Sequence, residues 1–405
     1  MKLNIRRYPI GIQNFEELRN RNCVYVDKTK LVYQLANTDK FYFFSRPRRF
    51  GKSLLVSTLE AYFQGKKELF GGLAIDQWET DWTVYPVLHV DFSLTKYTEL
   101  SDLTGQLNLF LYDWEKIYGK NEQEETPSGR FQGIIRRAYE QTGKQVVVLI
   151  DEYDAPLLDS YSDTSLQQQL RNEMCKFFSP LKGMDQYLRF LFITGISQFN
   201  QLSIFSKLNN LLNISMRDDF SALCGITEQE LLKQLKPDIE QMAEANKESY
   251  EEACAHLKRQ YDGYHFSKVC TDIYNPFSLF NAFDSKEYKN YWFSTSTPTF
   301  LIDILKCSDF DVRELDGLTA TDEQFDTPTE QIVDPIPVLY QSGYLTIKGY
   351  DPTFNLYKLA YPNSEVRYGF TESLLPAFVH QFPREACRAL PSGWSEDCQN
   401  RSELR

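Results

Sequence analysis

A chain of 405 residues with 42% apolar and 25% charged residues has the makings of about two or three soluble globular domains. Its formal net charge of −12 argues against a broad, sequence-independent grip on nucleic acid, which needs a basic footprint, and leaves room only for a local basic site at Arg46, Arg48, Arg49 and Lys52. Eight cysteines with no CxxC spacing, and only four histidines, exclude a zinc or disulfide framework and point to reduced thiols in a cytoplasmic protein.

In chain order, Met1–Ile10 is charged and lacks the apolar segment of a signal peptide. The longest apolar runs, roughly five to seven residues, fall far short of a membrane span. Phe41–Ser45 is a run of aromatic strand formers. Lys52–Gln64 follows as a helix with Leu55, Leu59, Tyr62 and Phe63 on one face and Gly65 placed to close it. Val87–Phe92, Val146–Ile150 and Arg189–Thr194 read as further strands, with a helix from about Arg130 to Gln141 ahead of Gly143 and a short strand near Asn213–Met216. Continuous apolar runs of this length suit strands buried on both faces, and their alternation with helices predicts an α/β domain built on a parallel sheet.

After Gly225 the pattern changes. Thr227-Glu-Gln-Glu230 is a capping box, and Thr227–Lys306 reads as a mostly helical module. Gln331–Gln341 is a further helix. Tyr344–Ile347 and Leu356–Leu359, around Gly349-Tyr-Asp-Pro352, read as a hairpin, and together they suggest a small winged-helix-like module. From Phe382 onward no helical or strand period is present, and disorder is expected. The expected division is 1–225, 226–310, 311–381 and a tail at 382–405.

Chemistry concentrates at two strand ends. Arg46-Pro-Arg-Arg-Phe-Gly-Lys-Ser53 follows a strand and opens a helix, the context of a phosphate-binding loop. Free amides at a helix start attract phosphate oxygens, so Arg46, Pro47, Arg48, Arg49, Phe50, Gly51, Lys52 and Ser53 form the candidate cradle. Within it, Gly51 allows close approach, Lys52 reaches the β/γ-phosphates of ATP and Ser53 binds Mg2+. Arg46 stands where the usual pattern has its first glycine, and Pro47 removes one amide donor. The second site is Val146-Val-Val-Leu-Ile-Asp-Glu152. There Asp151 is placed to hold magnesium or its water, and Glu152 to polarise the attacking water. Thr194, ending the next strand, is a candidate sensor of the γ-phosphate. Asp262, Tyr264 and His265 form a dense polar–aromatic cluster that reads as a packed turn rather than an active site.

These motifs, with Pro9-Ile-Gly-Ile12, Tyr25-Val-Asp-Lys28, Leu149–Asp154, Thr194-Gly-Ile-Ser197, Tyr261–Phe266, Gln341-Ser-Gly-Tyr-Leu-Thr346 and Tyr361-Pro-Asn-Ser-Glu-Val366, give a chain that resembles the AAA-ATPase-like family common in gut bacteria. The resemblance spans roughly Ile5 to Phe378. It implies a P-loop NTPase core whose parallel sheet is of the additional-strand type, followed by a helical lid, and it makes Arg at the first loop position the family's own pattern. Family members often carry a C-terminal PD-(D/E)XK-type nuclease, which is expected to be absent here. The segment after Phe378 does not resemble that domain, and Glu287-Tyr-Lys289 is too loose a match to its metal-binding pattern. Two functions follow as expectations: slow ATP hydrolysis coupled to lid movement, or a nucleotide-dependent switch that hardly hydrolyses. A homo-oligomer is compatible with either, with no arginine assignable to a neighbouring subunit's site.

Overall fold

The computed structural model describes residues 6–198, 204–205, 208, 210–293, 301–302, 304–305, 315–325 and 335–378. The tail at 382–405 lies outside the described residues. The first half is built on a five-stranded, all-parallel sheet. Its strands are β1 (Phe41–Ser45), β2 (Val87–Asp91), β3 (Val146–Asp151), β4 (Leu188–Gly195) and β5 (Leu212–Asn213), in the spatial order β2-β3-β4-β1-β5. Strand β4 is thus inserted between β1 and β3, which makes this an α/β fold of the additional-strand type.

Alternation along the buried strands separates two cores. Tyr42, Phe44, Val147, Leu149, Phe190 and Phe192 face one side of the sheet, packed on α1 (Phe15–Asn20), α2 (Thr29–Thr38) and α3 (Lys52–Phe63). Phe41, Phe43, Val146, Val148, Ile150, Leu191 and Ile193 face the other, under α4 (Leu100–Tyr118), α5 (Pro127–Thr142), α6 (Ala155–Asp159) and α7 (Thr164–Phe178). Every residue of β1 and β3 is buried, which is why their sequences show no polar alternation. Register pairs Asp91 with Asp151 and Ser45 with Gly195, so these four strands end level along one edge. Ligand crevices in open parallel sheets lie along that carboxyl edge.

Capping residues place several boundaries. Thr126 accepts the Gly129 amide ahead of Pro127 to start α5, and Gly143, at φ 64°, ends it. The expected capping box is present: Thr227 and Glu230 open α8 (Glu228–Gln234), which is followed by α9 (Lys236–Asn246) and α10 (Tyr250–Tyr261). A two-stranded antiparallel pair, β6 (Ile226–Thr227) with β7 (Ile273–Tyr274), brackets these helices and precedes α11 (Pro276–Ser285). Helices α8–α11 share a core of their own around Leu235, Ile239, Met242, Leu257 and Phe283.

In the last part, β9 (Thr346–Asp351) and β10 (Leu356–Ala360) form the expected hairpin. A third strand, β8 (Leu318–Thr321), pairs antiparallel with β10 and was not legible in the sequence. Helix α12 (Ile336–Gln341) precedes β9, and α13 (Ser364–Phe378) follows β10. The α3-side core runs without a break into this part, through Tyr264, Phe266, Trp292, Tyr344, Tyr357 and Phe370. The expected strand at Val87–Phe92 stops at Asp91, because the Asp91 carboxylate accepts the Ser93 amide and starts a tight turn.

Candidate functional site

Two features of the β1–α3 connection follow from local geometry. Helix α3 begins after Gly51, whose φ of 91° favours glycine, and no side chain caps its first amides. No atom comes within 4 Å of where a Cβ on Gly51 would sit, so the helix start opens onto free space. Arg49 also adopts a left-handed conformation, at φ 69°. An uncapped, glycine-led N-terminus of a 12-residue helix is suited to an anion.

The acidic motif lies beside it. Lys52 is buried, with Nζ 3.3 Å from Glu152 Oε1 and a 3.3 Å hydrogen bond to the Pro47 carbonyl. Ser53 lies beside the Asp151 carboxyl group, whose pKa is pushed up to about 6 by burial first and by the charge of Glu152 second. Glu152 sits at φ 49°, in the left-handed region that non-glycine residues seldom enter, so its orientation is held by its surroundings. Tyr153 and Asp154 supply that hold. The Tyr153 amide donates to the Thr194 carbonyl at 3.1 Å. Fully buried Asp154 accepts from the Ile196 amide at 3.1 Å, the Ser197 amide at 2.7 Å and Ser197 Oγ at 2.8 Å. Gly195 is required here, since a Cβ would lie 2.4 Å from Asp154 Oδ1 and 2.6 Å from the Tyr153 ring.

Thr194 is fully buried, and among the described residues its Oγ1 has no hydrogen-bond partner. It shares strand parity with Phe190 and Phe192, and Asp151 with Val147 and Leu149, so both project to the α3 side of the sheet. An unpartnered buried hydroxyl is costly unless something else serves it.

A cavity of about 450 Å³ opens over this region. Its walls include Arg48, Arg49, Gly51, Lys52, Ser53 and Glu152. Asp151 and Thr194 are not among its lining residues. Three residues of the expected cradle do not face the cavity. The Arg46 guanidinium is buried between the Phe44 and Phe266 rings, and it donates to the carbonyls of Ser45, Ser215, Phe220 and Ser221. Its own amide donates to the Gly195 carbonyl at 3.3 Å. Pro47 packs beneath Gly343, and Phe50 packs edge-on against Tyr264 and Phe266. The Arg46 side chain braces the end of β1 against the Ser215–Ser221 segment.

The opposite wall was not recognised from the sequence. It comes from Pro9–Gln13 and from Pro276, Phe277 and Phe280 of α11. The first stretch is held over the site from both sides. Tyr8 donates to Asp238 of α9 at 2.7 Å, Arg6 pairs with the same carboxylate, and the Phe15 amide donates to Ser57 of α3 at 2.9 Å. Arg49 lies over the Phe277 ring at 4.0 Å, which joins the two walls. Of this wall, the family resemblance includes the Pro9-Ile-Gly-Ile12 motif. The Asp262–His265 cluster is the packed turn expected of it: His265 bonds the Ile347 carbonyl and Asp272, both at 2.6 Å.

Among the described residues no three His, Cys, Asp or Glu side chains gather into a metal cluster, and no helix is long and apolar enough to cross a membrane. Residues 9–205 match the family model described as Predicted AAA-ATPase. A protein of Azotobacter chroococcum mcd 1, described as an uncharacterized protein in the vnfD 5' region, is 35% identical over 382 residues, covering 92% of this chain and 71% of that protein. A solved structure of the Aeropyrum pernix ORC1 protein in complex with DNA covers 91% of this chain and 94% of its own at 9% identity and a TM-score of 0.29, too loose a likeness to bear on the site.

Proposed function

Because the chain belongs to the predicted AAA-ATPase family, we propose that the cavity at the carboxyl edge of its parallel sheet binds ATP with magnesium and hydrolyses it slowly. The observation that carries this is the meeting of an uncapped, glycine-led helix start with Lys52, Ser53, Asp151 and Glu152 on adjoining strand ends. The phosphates lie along the amides of Arg48–Ser53, and Lys52 exchanges its bond to the Pro47 carbonyl for phosphate oxygens. The base rests against the apolar wall of Ile12, Pro276, Phe277 and Phe280.

Ser53 and Asp151 suit a magnesium ion, which takes one or two protein oxygens and fills its shell from phosphate and water. When bound, it neutralises phosphate charge. Glu152, placed by the Asp154 bracket, accepts the proton of the attacking water, and Thr194 offers its unpartnered hydroxyl toward the terminal phosphate. Helices α8–α11, with their separate core and their hold on Pro9–Gln13, form a lid over residues 226–310 that shifts with nucleotide state. Residues 1–225 are the catalytic core and 311–381 a winged-helix-like module.

Phosphate release by wild type and Glu152→Gln tests the reading. Turnover in wild type that the variant loses supports hydrolysis. ATP binding without turnover in either protein replaces it with a nucleotide-dependent switch, which the resting Lys52–Glu152 ion pair favours, since it occupies both groups at once.

A further inference from the structure

The turn between α12 and β9, Gln341–Tyr344, lies outside the cavity yet touches the phosphate loop that lines it and the exit loop of β4. Gln341 is buried, at 3% exposure. Its Oε1 accepts the Gln198 amide at 2.9 Å, and its Nε2 donates to the Phe325 carbonyl at 3.0 Å. Gln198 lies in the exit loop of β4, four positions beyond Thr194. In that loop three successive amides are claimed: Ile196 and Ser197 by Asp154 of the acidic motif, and Gln198 by Gln341. The loop is therefore held from one side by the catalytic edge and from the other by the C-terminal part of the chain.

Two residues further on, Gly343 adopts φ 87°, and a Cβ there would come within 2.8 Å of Pro47 Cβ. Trp292, which packs tilted against Tyr344 at 5.1 Å, donates through Nε1 to the Arg48 carbonyl at 3.4 Å. Tyr344 in turn packs on Phe370 of α13 at 4.8 Å, and Glu365 of the same helix accepts the Trp292 amide at 2.9 Å. The first half of the phosphate loop, the β4 exit loop and α13 thus meet at one joint.

We infer that Gln341 is a positioning residue for the nucleotide site, supplied by the C-terminal part of the chain, which sets the β4 exit loop and through it Thr194 and the Asp154 bracket behind Glu152. This rests on the proposed ATP reading. Turnover then depends on how the C-terminal part sits, and nucleotide occupancy reaches α13 through Gln341, Gly343 and Tyr344.

The test compares wild type with Gln341→Met, which keeps side-chain volume and loses both hydrogen bonds, and with Gln341→Glu, which keeps the acceptor for the Gln198 amide. Amide hydrogen exchange, ATP calorimetry and phosphate release are measured on the full chain. Folded Gln341→Met is expected to lose protection at 196–198 and to show a kcat lower on the order of tenfold, with ATP affinity changed less than about threefold. Gln341→Glu is expected to restore protection at Gln198 and most of the turnover. Wild-type protection and kcat in Gln341→Met would overturn the inference. If wild type binds no ATP, the ATP reading falls, while lost protection at 196–198 would leave the link between Gln341 and the loop standing and unchanged protection would remove it as well. If Gln341→Met does not fold, wild type decides alone: ATP with magnesium must raise protection at 339–346, and no change there overturns the inference.

Discussion

Arg46 gives the sharpest contrast between what the phosphate-loop motif suggests and what the fold does with it. In the motif it takes the place of a phosphate-facing glycine. In the structure its guanidinium is 2% exposed, with ring centroids of Phe44 and Phe266 at 4.4 and 4.2 Å and carbonyl acceptors at 2.7 to 3.3 Å. Burial lowers its pKa to about 10, and no carboxylate pairs with it among the described residues. Arg46→Lys keeps a charge but not the planar fork. An ammonium on that shorter reach holds about two of the four carbonyls, a loss of roughly 1 kcal/mol for each abandoned bond. Forfeiting the stacked geometry costs about 0.5–1 kcal/mol more. The variant should therefore be less stable by about 2.5–3 kcal/mol in urea denaturation. Its ATP affinity, measured by calorimetry well below the transition, should stay within about threefold, under the ~1.4 kcal/mol that a tenfold change represents. Unchanged stability with at least tenfold weaker ATP binding would refute the brace and return Arg46 to the ligand.

Glu152→Gln should retain ATP and magnesium while turnover in a phosphate-release assay falls about 10²–10⁴-fold, the range of a lost general base; Asp151→Asn should instead weaken magnesium-dependent ATP affinity along with rate, and identical behaviour of the two variants would contradict their separate placement. Asp262 is buried, and burial raises its pKa to about 7 from the usual 3.8. The folded state therefore holds this proton where the unfolded chain has released it, so the contribution of Asp262 to stability is full below about pH 4 and is lost as pH rises toward 7. Asp262→Asn should accordingly flatten the pH dependence of urea unfolding between those limits and stabilise the protein at pH 8 by on the order of 1–4 kcal/mol; a variant no more stable than wild type at pH 8 would show that the carboxylate is not left uncompensated.

The sheet was legible because its strands are buried on both faces. Phe41–Ser45 and Val146–Ile150 carry no polar residue until the edge where the ligand crevice lies, so their ends marked the site as well as the fold. The α8 boundary was legible because Thr227 and Glu230 are close in sequence and satisfy each other's backbone donors. What escaped was assembled from afar. The cavity wall joins Pro9–Gln13 to Pro276–Phe280, and no local period announces that pairing. Strand β8 is four residues with only Ala320 buried, too short to alternate visibly. Asp154 and Gln341 sat in recognised motifs, yet their roles depend on the amides of a loop 43 and 143 residues away, at Ile196–Gln198. The path of the Arg46 side chain escaped for a physical reason: a motif position specifies the backbone path, and the guanidinium lies between the aromatic rings of Phe44 and Phe266.

Magnesium-dependent ATP binding measured by calorimetry on wild type and Lys52→Ala tests the central claim most directly. Lys52 is buried at the cavity wall, and the polar partners of its Nζ among the described residues are Glu152 Oε1 and the Pro47 carbonyl, each at 3.3 Å, so removing it should leave the melting temperature within a few degrees. The account predicts that wild type binds ATP and that the variant binds at least about tenfold more weakly, since the loss of one cation from a phosphate exceeds ~1.4 kcal/mol. Equal affinity in two folded proteins, or no binding by either, would contradict it.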